Sequence, residues 1–251
     1  MQNSLHEWRR AASQMLLLAL VAGTPMLACA RDKLVLSSGV LTPYTTPDRQ
    51  GFLDQMLPAI FRQFGEDAEL MVYPTATERG MLNANEGVDD GLAMRIAGLE
   101  QQYPNLIRVP EPIVVNDFVA LSTQHQFATH DWSALKPYSV AYIIGWKVFE
   151  RHVPKVGEMT LVRDAEQLFL LLENGRADVA LYERWQGLTQ ARSMGIKARV
   201  MEPPLLRTEM YIYLHKKHAA LVPKVAQALI ELKRNGSYQR IFDRTLRQLS
   251  K

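Results

Sequence analysis

Arg95 follows the apolar run Leu92-Ala-Met94, and a guanidinium at a strand end is a two-pronged donor suited to a carboxylate. Open α/β sheets hold ligands at the C-terminal edges of their strands, so Arg95 is either an anion grip or a solvated surface cation. Glu183 stands in the same relation to the run 177–182. Its carboxylate suits a cationic group, unless Arg184 beside it forms a surface ion pair. Thr75-Ala-Thr-Glu-Arg79 has the form of a helix start, with Thr75 or Thr77 as cap and Glu78 and Arg79 able to face a cleft. Catalytic signatures are absent: there is no Gly-rich phosphate loop and no Gly-x-Ser-x-Gly elbow. His6, His125, His130, His152, His215 and His218 show no metal-motif spacing, and His215 and His218 beside Lys216 and Lys217 fit a solvated turn. No metal, cofactor or catalytic residue is expected.

The elements that must position these groups alternate. Lys33-Leu-Val-Leu-Ser37 reads as a buried strand closed by a Pro-rich turn. Phe52, Leu53, Met56, Leu57, Ile60, Phe61 and Phe64 form one face of a helix ended by Gly65. Strand 69–73, helix 78–85 and strand 92–94 follow, then strands 106–109 and 118–122. After the polar stretch 123–136 the pattern restarts with strand 138–144, the Gly145 turn, a helix over 162–172 and strand 177–182; residues 191–200 read as a turn and strand. An alternating strand at 210–214 and helices at 221–233 and 238–249 close the chain. Two βα arrays, the second inserted into the first, predict an α/β fold with mainly parallel sheets and right-handed crossovers.

The first thirty residues carry Arg9 and Arg10, the apolar core Met15-Leu-Leu-Leu-Ala-Leu-Val-Ala22 and the small-residue end Ala28-Cys29-Ala30. That order is the plan of a signal peptide, and the core is shorter than the roughly 20 residues of a membrane span. Cleavage after Ala30 is expected. Lipid attachment at Cys29 is the rival, with Leu27 and Ala28 before it, and a twin-arginine signal fits poorly at Trp8-Arg9-Arg10-Ala11. Cys29 is the one cysteine, so the cleaved chain has no thiol and relies on its apolar core, for which 47% hydrophobic residues suffice. Removing Glu7, Arg9 and Arg10 lowers the formal net charge from +3 to +2. So small an excess argues against nucleic acid.

Four strings, spread in order along the chain, resemble the bacterial extracellular solute-binding proteins of family 3, the amino-acid type. They are Gly51-Phe-Leu-Asp54, Asn83-Ala-Asn-Glu-Gly-Val-Asp-Asp90, Asn174-Gly-Arg-Ala-Asp-Val-Ala180 and Leu232-Lys-Arg-Asn-Gly-Ser-Tyr-Gln-Arg-Ile-Phe242. The resemblance implies the type II periplasmic binding protein fold, two α/β lobes joined by two crossing strands. Lobe one would be 31–121 with 209–251 and lobe two 122–208, after a signal at 1–30. It implies a monomer that captures a small polar solute, an amino acid or related carboxylate, for an inner-membrane permease of ABC type. Arg95 then stands where the family grips a carboxylate and Glu183 where it holds an ammonium. Tyr44 and Tyr73 stand where it places ring walls, with core filling as their ordinary alternative. Gly145-Trp146 replaces its Gly-Thr turn, so that Trp146 narrows the cleft or stacks on the ligand. Ala93 and Met94 stand where the family has hydroxyls, which counts against a plain amino acid. The rivals are a dehydratase-like enzyme using Glu183 or Glu78 as acid or base, and a solute sensor for a membrane partner.

Overall fold

The computed structural model describes residues 33–73 and 77–250. The expected signal peptide with Cys29, and the cap at Thr75, lie outside these residues. β1 (Leu34–Ser38), β2 (Ala68–Val72) and β3 (Gly91–Arg95) are parallel, with β1 in the middle. Helices α1 (Phe52–Phe61) and α2 (Thr77–Asn85) make the crossovers. The periodic face of α1 is buried as read, at Phe52, Leu53, Met56, Leu57, Ile60 and Phe61. Asp54 ties down its first turn by accepting from the Gly51 N–H at 3.0 Å and the Thr46 N–H at 2.9 Å. A short 3-10 turn and Gly65, at φ 77°, end it.

β4 (Leu106–Arg108) and β5 (Val114–Ser122) lead out of this array. The second array is β6 (Val140–Ile143), α3 (Lys147–His152), β7 (Met159–Val162), α4 (Ala165–Glu173), β8 (Val179–Glu183) and α5 (Arg184–Ser193). β6 lies parallel to both β7 and β8. The sequence reading needs three corrections here. Val162 ends a strand, and the helix starts only after Asp164, whose carboxylate caps Gln167 N–H. β7 was not read as an element, whereas α3 is the helix into which the resemblance turns the chain at Gly145-Trp146. α5 was missed altogether: its buried positions are Trp185, Gly187 and Ala191, two of them small, so it lacks the bulky three- and four-residue pattern that reveals a helix.

β9 (Arg199–Val200) pairs with β5, and β10 (Leu206–His215) returns to the first array before α6 (Val222–Arg234) and α7 (Ser237–Thr245). β5 and β10 are the two crossing strands. They run antiparallel from Leu206 opposite Phe118 to Met210 opposite Val114. β10 then pairs with β3 and β4, while β5 pairs with β8 from Phe118 opposite Glu183. The strand order is β2-β1-β3-β10-β5-β8-β6-β7. Separate cores lie in the two arrays, one around Phe52, Met94, Ile212 and Leu229, another around Leu121, Leu168, Phe169 and Ala180. Trp185 is the exception: it belongs to α5 yet is buried in the first core, edge-on to Phe242 at 5.6 Å. Among the described residues no helix is long and apolar enough to cross a membrane.

Candidate ligand cleft

A cleft of about 720 Å³ lies between the arrays, over β5. The first array supplies the loop 39–42 and Ile96, β5 supplies Asn116 and Phe118, and the second array supplies residues 145–148, Tyr182, Glu183 and the first turns of α5. Of the six residues singled out by sequence, Gly145, Trp146 and Glu183 are brought together here. Gly145 takes φ 86°, which favours glycine, and so turns the end of β6 into α3. Its N–H donates to Glu150 Oε1 at 3.0 Å. Trp146 stacks on Phe149, with centroids 5.7 Å apart and planes 6° apart, and lies 4.7 Å from the Tyr182 ring. It is therefore a fixed aromatic wall.

Glu183 touches the cleft but is only 1% exposed, because it caps the helix that the sequence reading missed. Oε1 accepts from Trp185 N–H at 3.2 Å and Oε2 from Gln186 N–H at 2.9 Å. Arg184 does not neutralise it: that guanidinium pairs with Asp117 at 3.1 Å and with both oxygens of Glu202 at 2.6 and 3.0 Å. Burial pushes the Glu183 carboxyl up to about 7, against hydrogen bonds from Gln186, Trp185 and Tyr44 that pull it down.

Tyr44 does not face the cleft, and its expected role as a ring wall is corrected accordingly. It is fully buried, with its hydroxyl 3.0 Å from Glu183 Oε1 and 3.0 Å from Asn116 Oδ1. One hydroxyl proton cannot serve two acceptors, so the trio closes only if Glu183 carries a proton or the Asn116 amide turns its NH₂ to the phenol oxygen. Burial and then the Glu183 charge hold the Tyr44 phenol well above its ordinary range. The trio joins the loop after β1, the crossing strand and the start of α5. Tyr44→Phe is expected to cost about 1–2 kcal/mol of unfolding free energy by leaving buried partners unmet; urea melts at pH 5 and 8 check this, and unchanged stability at both would contradict it.

Tyr73 and Arg95 also stand apart from the cleft lining. The Tyr73 hydroxyl accepts from Asn83 Nδ2 at 3.1 Å, behind β1. Arg95 is opposite Tyr211 in the β3–β10 ladder, and its Nη1 donates to the neighbouring Met94 carbonyl at 3.0 Å. Its Nε is buried without a hydrogen-bond partner, and burial lowers the guanidinium's affinity for its proton. Strand position located Arg95 correctly at the sheet edge; the direction of its long side chain was not legible. Lys147, Phe118, Ile96 and Gln186 were missed. The charge next to the Gly145 turn was the one available signal, for Lys147. Among the described residues no group of His, Cys, Asp or Glu could hold a metal ion.

No family model matches the sequence, and no curated protein does. Solved structures match along most of the chain. The GluR0 ligand-binding core from Nostoc punctiforme in complex with L-glutamate is similar at 20% identity and a TM-score of 0.64, covering 84% of this chain and 98% of its own. A histidine kinase sensor domain with similarity to periplasmic binding proteins shares 16% identity at TM-score 0.65, covering 86% and 96%. The fold is that of the two-lobed periplasmic binding proteins. An ancestral amino-acid-binding protein, a precursor of cyclohexadienyl dehydratase, has the same binding-protein fold at 16% identity and TM-score 0.63, covering 85% and 94%. At these identities the likeness concerns the fold, so the chemistry of the cleft must be argued from its own residues.

Proposed function

We propose that the chain is an exported solute-binding protein. It captures a small polar solute, an amino acid or related carboxylate, between its lobes and delivers it as a monomer to an inner-membrane permease of ABC type. The observation that carries this reading is the cleft itself, lined from both arrays over β5 and walled by the ring of Trp146. Lobe one is taken as 31–121 with 209–251, lobe two as 122–208, with β5 and β10 as hinge. Binding-competent closure is then a shift between two lobe arrangements, driven by the ligand's greater affinity for the closed one. Gly145, Trp146 and Glu183 face the solute side in this reading. Arg95 joins them only if closure turns its guanidinium outward.

Calorimetry against amino acids and small carboxylates tests it. A solute of the panel is expected to bind, and Trp146→Ala to weaken that binding about tenfold by removing one aromatic wall. Trp146 fluorescence should change on binding. If no solute binds, or if Trp146→Ala leaves the best affinity unchanged, this reading of the cleft is wrong. One observation favours a second reading, an enzyme on the same fold: burial places the Glu183 carboxyl near 7, where it can exchange a proton. Turnover of prephenate or arogenate that is lost in Glu183→Gln would establish that reading, and binding without turnover would exclude it for those substrates.

A further inference from the structure

Recognition of a free α-amino acid needs an anion for the ammonium and a cation for the carboxylate, both open to the cleft. Neither of the expected pair is open here. Glu183 has both oxygens engaged by backbone amides and the Tyr44 hydroxyl, at 1% exposure. Arg95 lies away from the cleft lining against its own strand.

What the cleft does offer is different. Its inner chamber is walled mainly by Val40, Leu41, Ile96, Phe118, Trp146 and Tyr182, with the uncharged polar groups of Asn116, Gln186 and Gln190 on the β5 and α5 sides. It meets a second, outer chamber of about 880 Å³ along β10, and Ile96, Phe118, Lys147 and Val148 line both. The outer chamber is cationic: Lys147, Arg151 and Arg207 line it against the single carboxylate of Glu209, which accepts from the Tyr211 hydroxyl. Lys147 is 71% exposed on its side chain and is paired only along its own helix, with Glu150 at 2.6 Å. Arg207 is paired with Asp117 at 3.1 Å, whereas Arg151 has no carboxylate within ion-pair distance among the described residues. The two chambers adjoin through their shared residues, so one ligand can cross from one to the other.

We propose that the ligand is an elongated apolar carboxylate without an α-amino group, its aromatic or aliphatic body in the inner chamber and its acid group in the outer one against Lys147 and Arg151. This rests on the reading of the cleft as a solute site. The apolar walls supply the affinity, and the two cations select the charge. An α-ammonium would be desolvated with no free carboxylate to receive it.

Three ligands of one skeleton separate these demands: phenylbutyrate, its primary amide, and homophenylalanine, the same acid with an α-amino group. By calorimetry phenylbutyrate is expected to bind about tenfold or more tighter than either of the others. The double variant Lys147→Ala/Arg151→Ala is expected to remove that preference over the amide while leaving amide binding unchanged. Ala97→Trp, which fills the outer chamber from the first array, is expected to weaken phenylbutyrate and spare benzoate, whose acid group sits on the ring and does not reach the outer chamber from the inner one. Homophenylalanine binding as well as or better than phenylbutyrate would overturn the inference while leaving the solute-binding reading intact. So would a double variant with undiminished preference for the acid, or a failure of all three compounds while another solute of the wider panel binds. Failure of every solute would overturn both.

Discussion

Replacing Glu183 by Gln is expected to cost about 1–2 kcal/mol at pH 4 and, relative to that, to gain about 3 kcal/mol by pH 8. The carboxyl rises from 4.5 to about 7 on folding, chiefly through burial. Below pH 4.5 it holds its proton in folded and unfolded chains alike, and the stability associated with that protonated form is fully present. Between there and pH 7 the unfolded chain ionises first, so stability is lost as pH rises, and above 7 the loss is complete. At 1.36 kcal/mol per pH unit the whole loss is about 3 kcal/mol. Gln copies the protonated acid in charge, so it should remove the slope, while its NH₂ must face one of the two α5 amides that the carboxyl oxygens accept from, which sets the cost at pH 4. For a chain of this length the difference in melting temperature between variant and parent should shift by about 5–10 °C in the variant's favour from pH 4 to pH 8. Thermal and urea melts at half-unit steps from pH 4 to 8 measure it; parallel curves for both proteins would refute the raised carboxyl of Glu183.

The second large effect is Gly91→Ala. A Cβ at Gly91 would stand 2.1 Å from the Tyr213 carbonyl oxygen and 3.1 Å from the Leu214 Cα, both main-chain atoms of β10. β10 cannot back away, since Leu214 is held opposite Gly91 on one side and opposite Ile107 on the other. The substitution is expected to cost about 3 kcal/mol, at the upper end for overpacking, because strand and not side chain must shift. Tyr213→Ala added to it should not restore stability, since the clash is with the carbonyl and not the ring. A melt of Gly91→Ala within about 0.5 kcal/mol of the parent, the usual range of a neutral surface change, would show that the strands separate more easily than their pairing implies.

The legible parts of the fold were those where burial is one-sided. α1 shows its apolar face in bulky side chains, and the buried run of β8 reads as a strand from sequence alone. α5 hid because one of its packed positions is Gly187, where a Cβ would already stand in tight contact, 3.3 Å from Leu121 Cδ1. The first half of β5 hid behind Asn116 and Asp117, polar residues that a crossing strand uses for the Tyr44 network and for Arg184 and Arg207. The site was misjudged for the same reason. Without α5, Glu183 looked like a free carboxylate at a strand end, when it is the helix's N-terminal cap. Tyr44 sits in a Pro-rich loop, where an aromatic residue is expected to be accessible, yet its ring packs edge-on to Phe52 at 6.3 Å. Gly145 and Trp146 line the cleft, and their place there follows from a glycine turn after a strand, which depends little on distant contacts.

Trp185 limits how the cleft can move. Its ring lies in the core of the opposite array, and withdrawing it would cost about 3–5 kcal/mol, the penalty typical of emptying a buried aromatic site. The α5 side of the cleft is thus pinned, and the α3 side, which carries Trp146, Lys147 and Arg151, is the free edge. If the lobes close about β5 and β10 as proposed, the α5 side stays docked through Trp185 and the α3 side, with Trp146, Lys147 and Arg151, makes the larger movement.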